Sequence, residues 1–161
     1  MKLALRLAVK ADIPEMHRIR KAVHENILAD ENALSQDSYL PFLGSSGETW
    51  VGELDGKIAG FCAIDRLNAS VWALFVAPQY EAQGVGKALL VKLIDRARSL
   101  GLTGLHLTTT AGTRAEQFYI RQGWELNGKA LNGEVKLHYA FDPTNKKAAR
   151  CFQPPLWCFE S

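Results

Sequence analysis

Residues Glu81 to Leu90, EAQGVGKALL, set two glycines around one valine, add a lysine and run on into good helix formers. Bare backbone at the mouth of a helix offers unpaired N–H groups and the positive end of the helix dipole, which together bind an anion, usually a phosphate. Gly84 and Gly86 let that backbone approach without a Cβ in the way. Two well-known phosphate loops do not fit. A P-loop needs a glycine where Glu81 stands and a hydroxyl where Ala88 stands, and a dinucleotide fingerprint needs a third glycine where Leu89 stands. A loop that merely turns a strand into a helix is the plainer reading of the stretch taken alone.

The elements that must position this loop are legible. LALRLAV (Leu3 to Val9) reads as a strand, and Asp12 with Pro14 and Glu15 starts a helix that should run to about Ile27. A shorter helix is expected from Ser35 to Leu43. ETWVGEL and KIAGFCAI flank Asp55-Gly56 as a hairpin, and SVWALFVAP is a further strand ended by Pro78. A helix follows from Gly84 to Leu100, with Gly101 as its stop. LTGLHLTTT is expected as a buried strand, and Thr113 with Glu116 as a capping box that opens TRAEQFYIRQG. WELNG and GEVKLHYAF form a last pair of strands joined through Asn132-Gly133 or a slightly longer loop. This order gives an α/β (α+β) fold with a mixed sheet and helices on both faces. The domain covers residues 1–141; residues 142–161, with Phe152, Trp157 and Phe159, form a tail packed on the domain or on a partner subunit.

VAPQYEAQGVGKALL followed by GTRAEQFYIRQGW resembles the GNAT superfamily of N-acetyltransferases. The positions that carry the likeness are Glu81, Gly84, Gly86, Tyr119, Gly123 and Trp124, and the order of elements from Leu3 to Phe141 is similar to that fold, whose sheet is mostly antiparallel. The resemblance implies acetyl-CoA as cosubstrate and no metal. The backbone of Ala82, Gln83, Gly84, Val85, Gly86, Lys87 and Ala88 would hold its pyrophosphate. Leu74, Phe75 and Val76 would pair with its pantetheine arm, the Val76 amide polarising the thioester carbonyl. Two positions depart from the family pattern. Glu81 stands where Gln or Arg is usual, which is unfavourable beside a pyrophosphate unless it faces solvent or pairs with a neighbour such as Lys87. Gly112 replaces a common asparagine, for which Thr113 would stand in.

The implied reaction is direct transfer, in which an amine attacks the thioester and Tyr119 protonates the departing thiolate as general acid. The residues do not single out a base. Some relatives use a strand glutamate, but the matching position here is Leu107; Glu25 and His106 remain as candidates. Between Ala22 and Gly56 there is no Lys or Arg, whereas Glu25, Asp30, Glu31, Asp37, Glu48, Glu53 and Asp55 are acidic. A negative lip there would favour a cationic acceptor: a polyamine, an aminoglycoside-like amine, a lysine side chain or a protein N-terminus. The alternative reading is a non-catalytic sensor that binds coenzyme A or acetyl-CoA. Homodimers are common in the family, so a homodimer is an expectation.

Composition bounds these readings. The 161 residues, 47% hydrophobic and 22% charged, suit one globular domain, and a net charge of +2 without a basic cluster gives no footprint for nucleic acid. Arg6 and Lys10 interrupt the N-terminal apolar run, so it does not read as a signal peptide, and no stretch reaches the ~20 apolar residues of a membrane span. Cys62, Cys151 and Cys158 show no zinc-ligand spacing with the four histidines. Free thiols in a cytoplasmic protein are the expectation.

Overall fold

The structure, a computed structural model, describes residues 2–23, 35–129 and 133–141. Its strands are β1 (Leu3–Leu7), β2 (Gly47–Leu54), β3 (Lys57–Asp65), β4 (Ser70–Val76), β5 (Gly104–Thr110), β6 (Glu125–Lys129) and β7 (Glu134–Ala140). They form one sheet in the order β1-β2-β3-β4-β5-β7-β6, antiparallel throughout except between β4 and β5. The helices are α1 (Ile13–Val23), α2 (Val85–Ser99) and α3 (Arg114–Arg121). The mixed, mostly antiparallel sheet with helices on both faces is the fold expected.

Each face has its own core. On α1 the buried Ile13, Met16 and Ile19 recur at helical spacing and pack with Tyr39, Phe42, Val51, Phe61 and Ala73. On α2, Val85, Leu89, Leu93 and Ala97 make a stripe four residues apart, which packs with Leu105, Leu107, Tyr119 and Leu137 on the opposite face. The β2–β3 hairpin turns through Asp55 (φ 52°) and Gly56 (φ 83°), the left-handed pair that a tight two-residue turn requires.

Several expectations need correction. Residues Gln36–Leu43 wind as a 3-10 segment that contains Pro41, because proline removes the N–H an α-helix would use there and crowds the preceding turn. Asp12 does not cap α1 forward; its carboxylate accepts the Val9 N–H at 2.8 Å and pairs with Arg6. Glu15 pairs with Arg18. β5 is covered on one face only: Leu105 and Leu107 are buried, whereas His106, Thr108 and Thr110 are exposed. Glu25 and the tail from Asp142, with Cys151 and Cys158, lie outside the described residues.

Candidate active site

The β3–β4 ladder runs in register from Gly60–Val76 to Ala63–Ala73 and resumes at Ile64–Val71, so Trp72 has no residue opposite it. Such a bulge bends the strand that carries the extra residue. β4 meets β5 at one place, Ser70 beside His106, where the His106 N–H donates to Ala69 O at 3.0 Å. Beyond that apex the strands part. β5 pairs with β7 along its whole length, and one edge of β4 is left without a neighbouring strand.

The bond from the Ala77 N–H to Ala59 O, 2.8 Å, sets the phase of the β3–β4 ladder. Bonded and non-bonded positions alternate in antiparallel pairs. Ala73 and Phe75 therefore turn their backbone groups to β3, while Leu74 and Val76 turn theirs into the gap. An open strand edge inside a sheet is a template for an extended chain. Of the three residues expected to hold such a chain, Leu74 and Val76 can do so. Phe75 cannot through its backbone, and its ring packs on the α1 face.

At the wide end of the gap the chain passes through Ala82 (φ 63°) and Gly84 (φ 83°) into α2. Gly84 is the N-cap and supplies no side-chain cap, so the N–H groups of Val85, Gly86 and Lys87 lack intrahelical partners. Ala88 leaves the expected set, because its N–H donates to Gly84 O at 3.0 Å and its side chain is buried. A Cβ built on Gly86 would stand 3.5 Å from Val76 and 3.9 Å from Phe118, so any larger side chain would enter the strip between loop and gap. Glu81 pairs with Arg114 at 3.7 Å rather than with Lys87. Arg114, the first residue of α3, thus sets a cation beside the loop, and nothing local in the sequence signals this contact.

Tyr119 is buried against Phe118 and Trp124, with ring centroids 5.3 and 5.5 Å away. Burial, with a smaller contribution from the nearby Cys62, raises its pKa well above the ordinary phenol value. The hydroxyl is therefore held neutral, as a proton donor must be. Cys62 is itself buried, and desolvation pushes its thiol up to about 12.

A model of the acetyltransferase (GNAT) family matches residues 13–124. The chain belongs to that family. The peptidyl-lysine N-acetyltransferase YiaC of Escherichia coli (strain K12) is 31% identical over 115 residues, 71% of this chain and 73% of that protein. The histone acetyltransferase TAP1 of Glycine max is 35% identical over 68 residues, 41% of this chain, and the chain spans only 28% of that relative's length. The PaiA N-acetyltransferase of Thermoplasma acidophilum, solved in complex with coenzyme A, has the same fold, with a TM-score of 0.70 at 15% identity over 88% of this chain and 100% of that one.

The Thr113 hydroxyl caps α3, accepting the Glu116 N–H at 3.3 Å and donating to Thr110 O at 2.7 Å, so its proton is already committed. Glu116 reaches back to the Gly112 N–H (2.8 Å) rather than to Thr113, a shifted form of the capping box. Leu107 points into the core, whereas His106 stands exposed at the apex of the gap. Of the acidic run, Glu48 binds Arg96, Glu53 binds Arg6 and Asp55 accepts the Lys2 N–H, while Glu25, Asp30 and Glu31 lie outside the described residues. Among the described residues no group of His, Cys, Asp and Glu is arranged to hold a metal.

Proposed function

We propose that this GNAT protein is an N-acetyltransferase that moves an acetyl group directly from acetyl-CoA to a primary amine, either a lysine-type amine of a protein or peptide or a cationic small molecule. The observation that carries the reading is the gap between β4 and β5, which leads from the uncapped start of α2 past the backbone of Val76 and Leu74. Uncapped amides at one end and an open strand edge along its length are features that suit acetyl-CoA. The amides of Val85, Gly86 and Lys87 meet the pyrophosphate, and the extended pantetheine adds to the open edge of β4. An amide facing the gap polarises the thioester carbonyl, and Tyr119 gives its proton to the departing sulfur. Names of relatives support an amine acceptor, since one acts on peptidyl-lysine and another on histones. A cytoplasmic, homodimeric protein completes the reading, and sedimentation tests the dimer.

The test is calorimetric titration with acetyl-CoA, followed by thiol release against a panel of lysine peptides, polyamines and aminoglycosides. Binding with thiol release on one of these classes is expected. Binding without release on any amine would favour a sensor, and no binding would overturn the reading.

A further inference from the structure

A polar row crosses the sheet at the apex of the gap. Asp65 on β3 lies opposite Ser70 on β4, Ser70 lies beside His106 on β5, His106 opposite His138 on β7, and His138 opposite Glu125 on β6. Residues paired in this way share one face of the sheet, with Cβ atoms about 4.5–5.5 Å apart where the pair is antiparallel. It is the face away from Tyr119, because Leu105, Leu107, Leu137 and Tyr139, which flank the two histidines in sequence, turn into the core beneath α2. His106 is exposed, while Nδ1 of His138 is buried with no hydrogen-bond partner among the described residues.

We propose that His106 accepts the proton of the incoming amine and that His138 positions His106 and passes the proton on through water. The inference rests on the acetyl-transfer reading. A chain laid along Val76 and Leu74 brings its reacting end toward the apex, where Ser70 and His106 meet. Core side chains and Tyr119 fill the α2 side, so the amine must approach from the opposite face. There β4 offers Ser70, Trp72 and Phe75, none of them a base near neutrality. Asp65 is committed to its turn, accepting from the N–H groups of Leu67 and Asn68 and from the Asn68 side chain.

His138 lies opposite His106; Lys136 and Glu134 follow on the same face of β7, Glu125 lies opposite His138 on β6, and α1 carries His17 and Arg20 over β4. His17 bonds the Tyr39 hydroxyl at 3.1 Å, and Arg20 lies over Trp72 and Phe75. No side-chain hydrogen bond joins His106, His138 and Glu125 among the described residues, hence the route through water.

The step balances. The ammonium gives one proton to His106, and the freed lone pair forms the C–N bond. The C–S bond breaks with its electrons on sulfur, which takes the Tyr119 proton; the second nitrogen proton restores the phenol. The proton on His106 leaves by way of His138.

The test compares wild type, His106→Gln and His138→Gln in kcat/KM against pH on one lysine-type amine, with acetyl-CoA affinity measured in parallel. His106→Gln is expected to lower kcat/KM by about 10²–10⁴-fold near neutral pH with unchanged acetyl-CoA affinity. Its rate should then track the free-amine fraction, so the deficit shrinks about tenfold per pH unit below the amine pKa of ~10. His138→Gln should move the low-pH limb while keeping it. An unchanged profile in both variants overturns the proposal alone. A wild type that binds acetyl-CoA and releases no thiol on any amine overturns the transfer reading and this inference with it.

Discussion

Tyr119 shows how an apolar setting changes what one hydroxyl does. Burial withholds the water that would stabilise a phenolate, so the group stays protonated and keeps a proton to give across the neutral and mildly alkaline range. Tyr119→Phe should lower kcat by about 10²–10⁴-fold with acetyl-CoA affinity intact, and the wild-type rate should hold above the ordinary phenol pKa of ~10 rather than fall there. Equal loss of binding and turnover would instead mark a packing residue. Ala82 carries a different kind of constraint: its φ of 63° is a left-handed conformation that glycine adopts more cheaply. Ala82→Gly should therefore raise stability by about 1 kcal/mol in thermal or denaturant unfolding, a rare case of glycine stabilising. The glycine loop and the helix that carries Tyr119 are legible because close neighbours in the chain mark them, the glycines at the start of α2 and the Thr113 cap before α3. The Glu81–Arg114 pair is not, because a distant segment supplies the partner. Ala88 departs from the expectation because the loop amides end one residue earlier, where the first helical hydrogen bond closes.

At the scale of elements, one extra residue in β4 accompanies the gap. Trp72 has no partner on β3, a bulge of the kind that bends a strand, and β4 and β5 pair only at Ser70 and His106. Periodicity identified the strands but could not show this, because a bulge is a fact about pairing and single-strand patterns carry no register. The same limit explains β5, which reads as a buried strand until the side its helices cover is known. Gly86→Val should weaken acetyl-CoA by tenfold or more (about 1.4 kcal/mol) with little change in melting temperature, since its side chain would enter the strip beside Val76 and Phe118 rather than the core. By contrast, Leu93→Ala in the fully buried stripe of α2 should cost about 2–5 kcal/mol in denaturant unfolding.

Over the whole molecule, charge that looked functional in the sequence proves partly structural. Arg6 joins Asp12 and Glu53, linking β1 to the start of α1 and to β2, and Arg96 holds Glu48 to tie α2 to β2. The hydrogen bond from Arg6 lowers the Asp12 pKa, and that from Arg96 lowers the Glu48 pKa. The unfolded chain binds protons more readily at these sites, so their stabilisation is complete above the unfolded carboxyl values of ~4 and is lost as pH falls through the lower folded values. Melting temperature should be flat near neutrality and drop in acid, and Asp12→Asn should lower the neutral value and shrink the acid drop. The fold thus fixes two cores and two ion-pair ties around one gap, and the proposed acetyl transfer requires that gap to accept an extended chain. Amide hydrogen exchange of Leu74, Phe75 and Val76, resolved by residue with and without acetyl-CoA, tests this most directly. Phe75 should be protected in both states, and Leu74 and Val76 should become protected only when acetyl-CoA is bound. Binding that leaves Leu74 and Val76 exchanging as before would contradict the account.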